Sequence, residues 1–209
     1  LMIYDVAVIG AGVIGSMIAR ELSRYRVKTC LVEKEADVAM GTSKANSGII
    51  HAGYNDKHGT LKAKFNMLGN SMMDQISNEL DVPFKRIGSL VLAFNENDIR
   101  NLEDLYTSGI ENGVPGMKIL DEGETKALEP NISSDVIGAL YSPSTGIICP
   151  YELNIAVAEN AAQNGVKVYL SNEVKSISKK DGVFVINTSQ QSIRSRYAVN
   201  AAGVYSDAI

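Results

Sequence analysis

The sequence predicts an α/β fold: a parallel-sheet domain of Rossmann type, interrupted by an inserted, mixed α/β domain. Two observations carry most of that prediction. The chain opens with a complete strand–turn–helix–strand unit. Residues 4–9 are a β-branched run, and Gly10-Ala11-Gly12-Val13-Ile14-Gly15 is a G-x-G-x-x-G. Residues 13–25 then place Val13, Met17, Ile18 and Leu22 at helical spacing, and residues 27–32 are a second apolar strand ending on Glu33. At the far end the chain returns to a strand, 197–200, and to a second small-residue turn, Ala201-Ala202-Gly203.

Between these ends helices and strands alternate. Residues 60–80 read as a long helix with Leu61, Phe65, Leu68, Met72, Ile76 and Leu80 on one stripe. A strand is expected over 84–94, a helix over 95–112, a short strand over 117–120 and a short helix over 121–128 before Pro130. Residues 136–148 read as a hairpin around Ser142-Pro143-Ser144-Thr145-Gly146, and Pro150 opens a helix that Gly165 ends. Strands follow over 166–170, 173–178, 183–188 and 191–194, with Asp181-Gly182 as a hairpin turn. Residues 204–209 open another helix, in which the chain stops in mid-turn, so the sequence reads as a truncated chain. Leu1 ahead of Met2 reads as a remnant of an expression tag. The change of rhythm assigns 1–83 and 149–209 to the first domain and 84–148 to the inserted one.

Composition narrows the function classes. Of 209 residues 45% are hydrophobic and 21% charged, enough for a sizeable core. The net charge of −4 is made of interspersed acids and bases, and the sequence pI is about 5.3, which argues against a nucleic-acid partner. No apolar run has the length of a transmembrane helix, and no signal peptide leads the chain. Cys30 and Cys149 form no C-x-x-C, so they read as reduced cysteines of a cytoplasmic protein, and no metal site is expected.

The glycine turn has a physical purpose. Gly10 permits the tight turn, Gly12 lets backbone approach a pyrophosphate, and Gly15 lets helix and strand pack closely. The helix N-terminus presents N–H groups and the positive end of its dipole to phosphates, and Glu33 stands where it can accept from a ribose hydroxyl. The next stretch, Gly41-Thr42-Ser43-Lys44-Ala45-Asn46-Ser47-Gly48-Ile49-Ile50-His51-Ala52-Gly53, packs hydroxyls, an amide and glycines into one loop. A nicotinamide does not require such a loop, whereas a flavin's ribityl chain, pyrophosphate and ring do.

These strings together resemble the FAD-dependent D-amino-acid-oxidase-like superfamily: the fingerprint, Glu33-Lys34, Thr42-Ser43 with Asn46-Ser47-Gly48 and His51, and Asn200-Ala201-Ala202-Gly203. Within it they are most similar to glycerol-3-phosphate dehydrogenases and oxidases of the bacterial, mycoplasma type. L-2-hydroxyglutarate oxidases carry a similar loop string. The resemblance spans the chain as the N-terminal half or slightly less of such a protein. It implies FAD held by Gly10, Gly12, Val13, Ile14, Gly15, Glu33, Lys34, Thr42, Ser43, Asn46, Ser47, Gly48, Ala202 and Gly203. Val174 matches the position whose backbone meets the adenine. It implies His51 beside the flavin ring as the base for the substrate C2 hydroxyl, in oxidation of sn-glycerol 3-phosphate to dihydroxyacetone phosphate.

An imidazole that titrates near neutral pH suits that proton transfer, while a structural histidine or a point of flavin attachment is the alternative. His58 reads as a solvated turn residue, Lys62 and Lys64 as a wet helix face, and Met67, Met72 and Met73 as core. Arg86, on the first strand of the inserted domain, is a weaker candidate for a substrate contact. Oxidation of a 2-hydroxy acid, oxidation of an amine, and a non-catalytic nucleotide-binding module remain the other readings. The partners expected are a small-molecule substrate and an electron acceptor of unspecified kind, in the cytoplasm or at the inner face of the membrane. The 209 residues alone are expected to turn over little, because the phosphate-binding segments lie past Ile209.

Overall fold

The computed structural model describes residues 2–209, so Leu1 lies outside the described residues. In chain order the elements are β1 (Ile3–Ile9), α1 (Val13–Leu22), β2 (Thr29–Val32), β3 (Ile49–Ile50), α2 (Leu61–Leu80), β4 (Phe84–Lys85), β5 (Ser89–Ala93) and α3 (Glu96–Asn112). Then come β6 (Lys118–Asp121), α4 (Glu122–Leu128), β7 (Gly138–Ser142), β8 (Gly146–Ile148) and α5 (Pro150–Gln163). The chain finishes with β9 (Lys167–Tyr169), β10 (Val174–Lys180), β11 (Val183–Thr188), β12 (Ser192–Asn200) and a 3-10 helix, Gly203–Ala208. No helix among the described residues is long and apolar enough to cross a membrane.

The chain divides into two compact units, one running to Ser47 and resuming over Cys149–Ile209, the other Gly48–Ile148. The sequence places the boundaries at 83 and 149, whereas this division leaves the first unit after Ser47. The reason is strand pairing: β3 pairs with β8, which ties residues 49–50 to the second unit.

The first unit is built on a six-stranded sheet in the order β10-β11-β12-β1-β2-β9. β12, β1, β2 and β9 run parallel, and β10-β11-β12 is an antiparallel meander. Asp181 and Gly182, both at positive φ, close the expected hairpin between β10 and β11. The strands expected at 191–194 and 197–200 are one continuous strand, because β12 pairs with β11 along its first half and with β1 along nearly all of it. Alternation along β1 sends Val8 to one face, where Ala19 of α1 and Ala158 and Ala161 of α5 cover it. Ala7 and Ile9 go to the other face, with Cys30, Val32, Ile186 and Ile193.

The second unit holds two three-stranded antiparallel sheets, β3-β8-β4 and β5-β7-β6. β7 and β8 therefore belong to different sheets, and the expected hairpin over 136–148 does not form. The expected strand over 84–94 likewise splits into β4 and β5, one in each sheet. α3 is capped at Asn95, whose side chain accepts from Asn97 and Asp98, and packs Leu102 into a core with Ala93, Met117 and Leu140. Asp121 and Glu124 form a reciprocal capping box on α4.

α2 turns a different face inward from the one its apolar periodicity predicts. Its buried residues are Ala63, Asn70, Met73 and Ser77, while Leu61, Phe65, Leu68 and Met72 are exposed. Hydrogen bonds fix that rotation: Asn70 Nδ2 donates to the carbonyls of His51 and Ser144, and Asn66 Nδ2 donates to Asp56. Of the three methionines read as core, Met73 is buried and Met67 packs against the cluster, but Met72 is exposed.

Asp56 is a buried charge in this unit, with a side chain 5% exposed and Lys62 Nζ 2.9 Å away. The Lys62 hydrogen bond, then that of Asn66 and the charges of Lys62 and His51, hold its carboxyl below the ordinary 3.8 against the upward push of burial. A folded pKa below the unfolded one gives stability that is complete above the ordinary carboxylate range and lost as pH falls through the folded value. Lys62 is largely exposed, which limits the pair's worth. Asp56→Asn should cost roughly 1 kcal/mol at neutral pH and flatten the decline of stability below about pH 4. Urea midpoints measured between pH 7 and pH 3 check both effects.

Candidate functional site

Register brings the site together. Ile9 stands level with Val32 on one side and Asn200 on the other, so β2, β1 and β12 end in line. Gly10 N–H donates to Val32 O at 2.8 Å, and Ala201 N–H donates to Ile9 O at 2.8 Å. The glycine turn, Glu33 and the Ala201-Ala202-Gly203 turn are thereby set side by side at the carboxyl ends of parallel strands, where open α/β sheets bind ligands.

The turn is possible only with glycine. Gly10 has φ +100°, and a Cβ there would stand 2.5 Å from Ala201 O. A Cβ on Gly15 would stand 1.8 Å from Gly10 O, so α1 and the turn meet backbone to backbone. Glu33 also has a structural task. Its Oε2 accepts from Ala11 N–H at 2.7 Å and its Oε1 accepts from Glu35 N–H at 3.0 Å, so the carboxylate braces the turn from the end of β2. Each oxygen keeps a further lone pair for a ligand hydroxyl.

These elements line a cleft of about 590 Å³. All the expected cofactor residues border it except Gly15, Ser47 and Gly48. Gly15 serves the packing beneath the turn, Ser47 is the last residue before the second unit, and Gly48 begins that unit, accepting from Ile148 N–H. Ser43 Oγ accepts from Val13 N–H at 2.8 Å and so caps α1, for which Gly12 itself has no side chain. Asn46 Nδ2 donates to the Thr42 and Ser43 carbonyls and winds the loop into a turn.

Sequence reasoning missed Asn172, Glu173 and Tyr205 as lining residues. Tyr205 stacks its ring under Lys34, with Nζ 3.7 Å from the ring centroid. Asn172 N–H donates to Glu33 O at 2.8 Å, which draws the start of β10 to the end of β2. The only signal for these residues was proximity to Val174 and Gly203.

The charged groups on the cleft are Glu33, Glu35 and Glu173 against the single ammonium of Lys34. Attraction for a pyrophosphate therefore comes from the N–H groups and dipole at the start of α1. A cleft of this volume, bordered by a glycine turn, a helix N-terminus and a carboxylate with free lone pairs, has the groups that an adenine dinucleotide requires.

His51 lies in the second unit and is exposed, with its carbonyl held by Asn70 Nδ2 at 2.9 Å. His58 Nδ1 lies 3.1 Å from Asn112 Oδ1 in an exposed turn. Arg86 is committed internally: its guanidinium bonds Asp74 Oδ2 through Nε and Nη2, and reaches Asn70 and the Ser144 carbonyl through its other hydrogens. That saturation makes it a brace between α2 and β4 and leaves it no free donor face for a substrate. Both cysteines are free, and burial pushes the Cys30 thiol up to about 12, which makes it an inert core residue.

Gly15→Ala should cost at least about 2 kcal/mol and abolish flavin uptake, since backbone must move to admit the methyl. A thermal melt with and without FAD reads both. Glu33→Arg should weaken FAD binding by at least roughly tenfold, because two N–H groups lose a charged acceptor and the ribose loses its partner. Fluorescence titration of the flavin measures that change.

Comparison with known proteins gives these features a family. The DAO family, described as FAD dependent oxidoreductase, matches residues 5–209. A glycerol 3-phosphate dehydrogenase of Caloramator mitchellensis is 54% identical over 206 residues, 99% of this chain and 43% of that protein. A mitochondrial L-2-hydroxyglutarate dehydrogenase of Nematostella vectensis is 33% identical over 220 residues, covering 98% of this chain and 48% of that protein. The FAD-bound, dithionite-reduced L-alpha-glycerophosphate oxidase of Mycoplasma pneumoniae superposes with a TM-score of 0.92 at 34% identity, over 98% of this chain and 55% of that one. The chain thus spans about half the length of these relatives. It belongs to the DAO family of FAD-dependent oxidoreductases.

Proposed function

We propose that this chain is the cofactor-binding portion of an enzyme that oxidises the C2 hydroxyl of sn-glycerol 3-phosphate, giving dihydroxyacetone phosphate. The observation that carries the substrate is the 54% identity to a glycerol 3-phosphate dehydrogenase along almost the whole chain. In this reading the cleft takes the adenosine diphosphate half of FAD. Glu33 accepts from the ribose, the N-terminus of α1 with Gly12 meets the pyrophosphate, and the backbone at Val174 meets the adenine. Thr42, Ser43 and Asn46 lie along the direction of the ribityl chain. Bound FAD supplies a hydride acceptor at its ring N5.

His51 takes the proton. Oxidation of a secondary alcohol removes a hydride from carbon and a proton from oxygen, and a neutral imidazole can accept that proton near physiological pH. His51 stands five residues beyond Asn46 in the chain, immediately after β3 in the second unit. The L-2-hydroxyglutarate reading rests on the 33% identity to that dehydrogenase, and its chemistry at C2 is the same. The two differ in the anion that must be recognised, a phosphate or a second carboxylate. A cytoplasmic location, at the inner face of the membrane or free of it, belongs to the same proposal and is read by cell fractionation.

In the protein carrying the family's full length, glycerol 3-phosphate should reduce the flavin and L-2-hydroxyglutarate should not. The reverse result would replace the first substrate with the second. His51→Ala should lower turnover by roughly 10²–10⁴-fold with unchanged FAD content, the worth of a positioned base. Near-normal turnover in that variant would remove His51 from the chemistry, and loss of flavin would make it structural.

A further inference from the structure

We infer that Asn154 is a positioning residue for the cofactor's pyrophosphate, acting through the Ala11–Gly12 peptide; this rests on reading the cleft as the FAD site. Asn154 lies in the second turn of α5 and is fully buried, on a helix face otherwise made of Leu153, Val157, Ala158 and Ala161. Its Nδ2 donates to Ala11 O at 2.9 Å, across 143 positions of sequence. Its Oδ1 is buried with no hydrogen-bond partner. The orientation of the amide follows from the bond itself, since only the nitrogen can donate to a carbonyl.

An amide buried with its oxygen unpartnered works against stability. Nor does Ala11 O need it. That carbonyl already accepts from Ala39 N–H at 3.1 Å and from Ser16 Oγ at 3.3 Å. Satisfying an orphan therefore does not account for the asparagine.

Peptide geometry does. No peptide among the described residues is cis, and in a trans peptide the C=O and N–H point in opposite directions. Asn154 gives Ala11 O the shortest of its three hydrogen bonds, 2.9 Å against 3.1 and 3.3 Å, and adds to the hold of Ala39 and Ser16 on that carbonyl. The N–H of Gly12, at the other end of the same peptide, is thereby turned away from those partners, and Gly12 lines the cleft. Glu33 fixes the preceding peptide plane through Ala11 N–H. With both planes fixed before ligand arrives, the Gly12 N–H meets an anion without reorganisation, which is how a pre-set donor gains strength.

The test separates positioning from fold stability. In Asn154→Leu, similar in size and free of the unmet oxygen, the flavin-free chain should melt at the wild-type temperature or above. Its affinity for FAD and for ADP should nevertheless fall roughly five- to tenfold, one well-placed hydrogen bond's worth. Adenosine, which lacks the pyrophosphate, should bind both proteins equally in the same calorimetric titration. Should the leucine variant fail to fold, Asn154→Ala gives the same reading through the ratio of ADP to adenosine affinity. An unchanged ratio overturns the inference while leaving the cleft's assignment intact. Failure of the wild-type chain to bind either FAD or ADP overturns the assignment and the inference with it.

Discussion

The carbonyl oxygens of Val32 and Ile9 receive the N–H groups of Gly10 and Ala201, each the first residue beyond the end of a neighbouring parallel strand. Those two hydrogen bonds continue the sheet's ladder by one step past its edge and fix where the chain turns. Shifting either strand by one residue would exchange its two faces, because side chains alternate. It would also move Glu33 or Ala201 away from the glycine turn. The cleft, the brace on Ala11 and the capping of α1 all follow from this register. The strand on one side of β1 lies within the first 32 residues and the other ends at Asn200, so the site forms only after the chain has returned. Such pairing across long sequence separation is slow to form, which makes the second unit a folding problem as well as a functional insertion.

Electrostatics on the cleft run against a simple expectation. The proposed pyrophosphate site has three carboxylates and one ammonium among its lining side chains, with Glu35 beside Lys34 and Glu173 paired to Lys175, so side-chain charge gives an anion little attraction. Backbone decides instead. The helix N-terminus acts within its first turn, and its N–H groups are fixed dipoles that need no entropy to order, unlike a lysine. Lys34 Nζ stands 3.7 Å from the Tyr205 ring centroid and 3.7 Å from Glu35 Oε1, so the one ammonium is already engaged.

Much of the first unit was legible in the sequence because its signals are local. The glycine turn, the strand before it, the acid after it and the Pro150 start of α5 each depend on residues within a few positions of one another. The second unit was less legible where structure depends on distant partners. Residues 136–148 have the composition of a hairpin, but β7 finds β5 and β6 while β8 finds β3 and β4, and no local pattern encodes that choice. The apolar stripe of α2 is a true periodicity whose burial was decided by Asn66 and Asn70, polar residues that a hydrophobicity reading sends to solvent. Arg86 was equally opaque: a lone arginine on a strand reads as a possible ligand contact until Asp74 and Asn70 are seen to occupy it.

The division into two units separates two kinds of specificity. In the proposed reading, the groups of the first unit's cleft address features common to all FAD molecules: a ribose, a pyrophosphate, an adenine. None distinguishes a phosphate-bearing alcohol from a dicarboxylic one, and relatives named for both substrates match this chain along nearly its whole length. Discrimination between them needs a cation placed for a phosphate or a carboxylate. In the second unit Lys62 is engaged by Asp56 and Arg86 by Asp74. A guanidinium or ammonium already paired at hydrogen-bond distance would have to break that pair to receive an anion, so its net gain is small. The physical requirement for substrate choice, an unengaged cation, is therefore met by neither of these side chains.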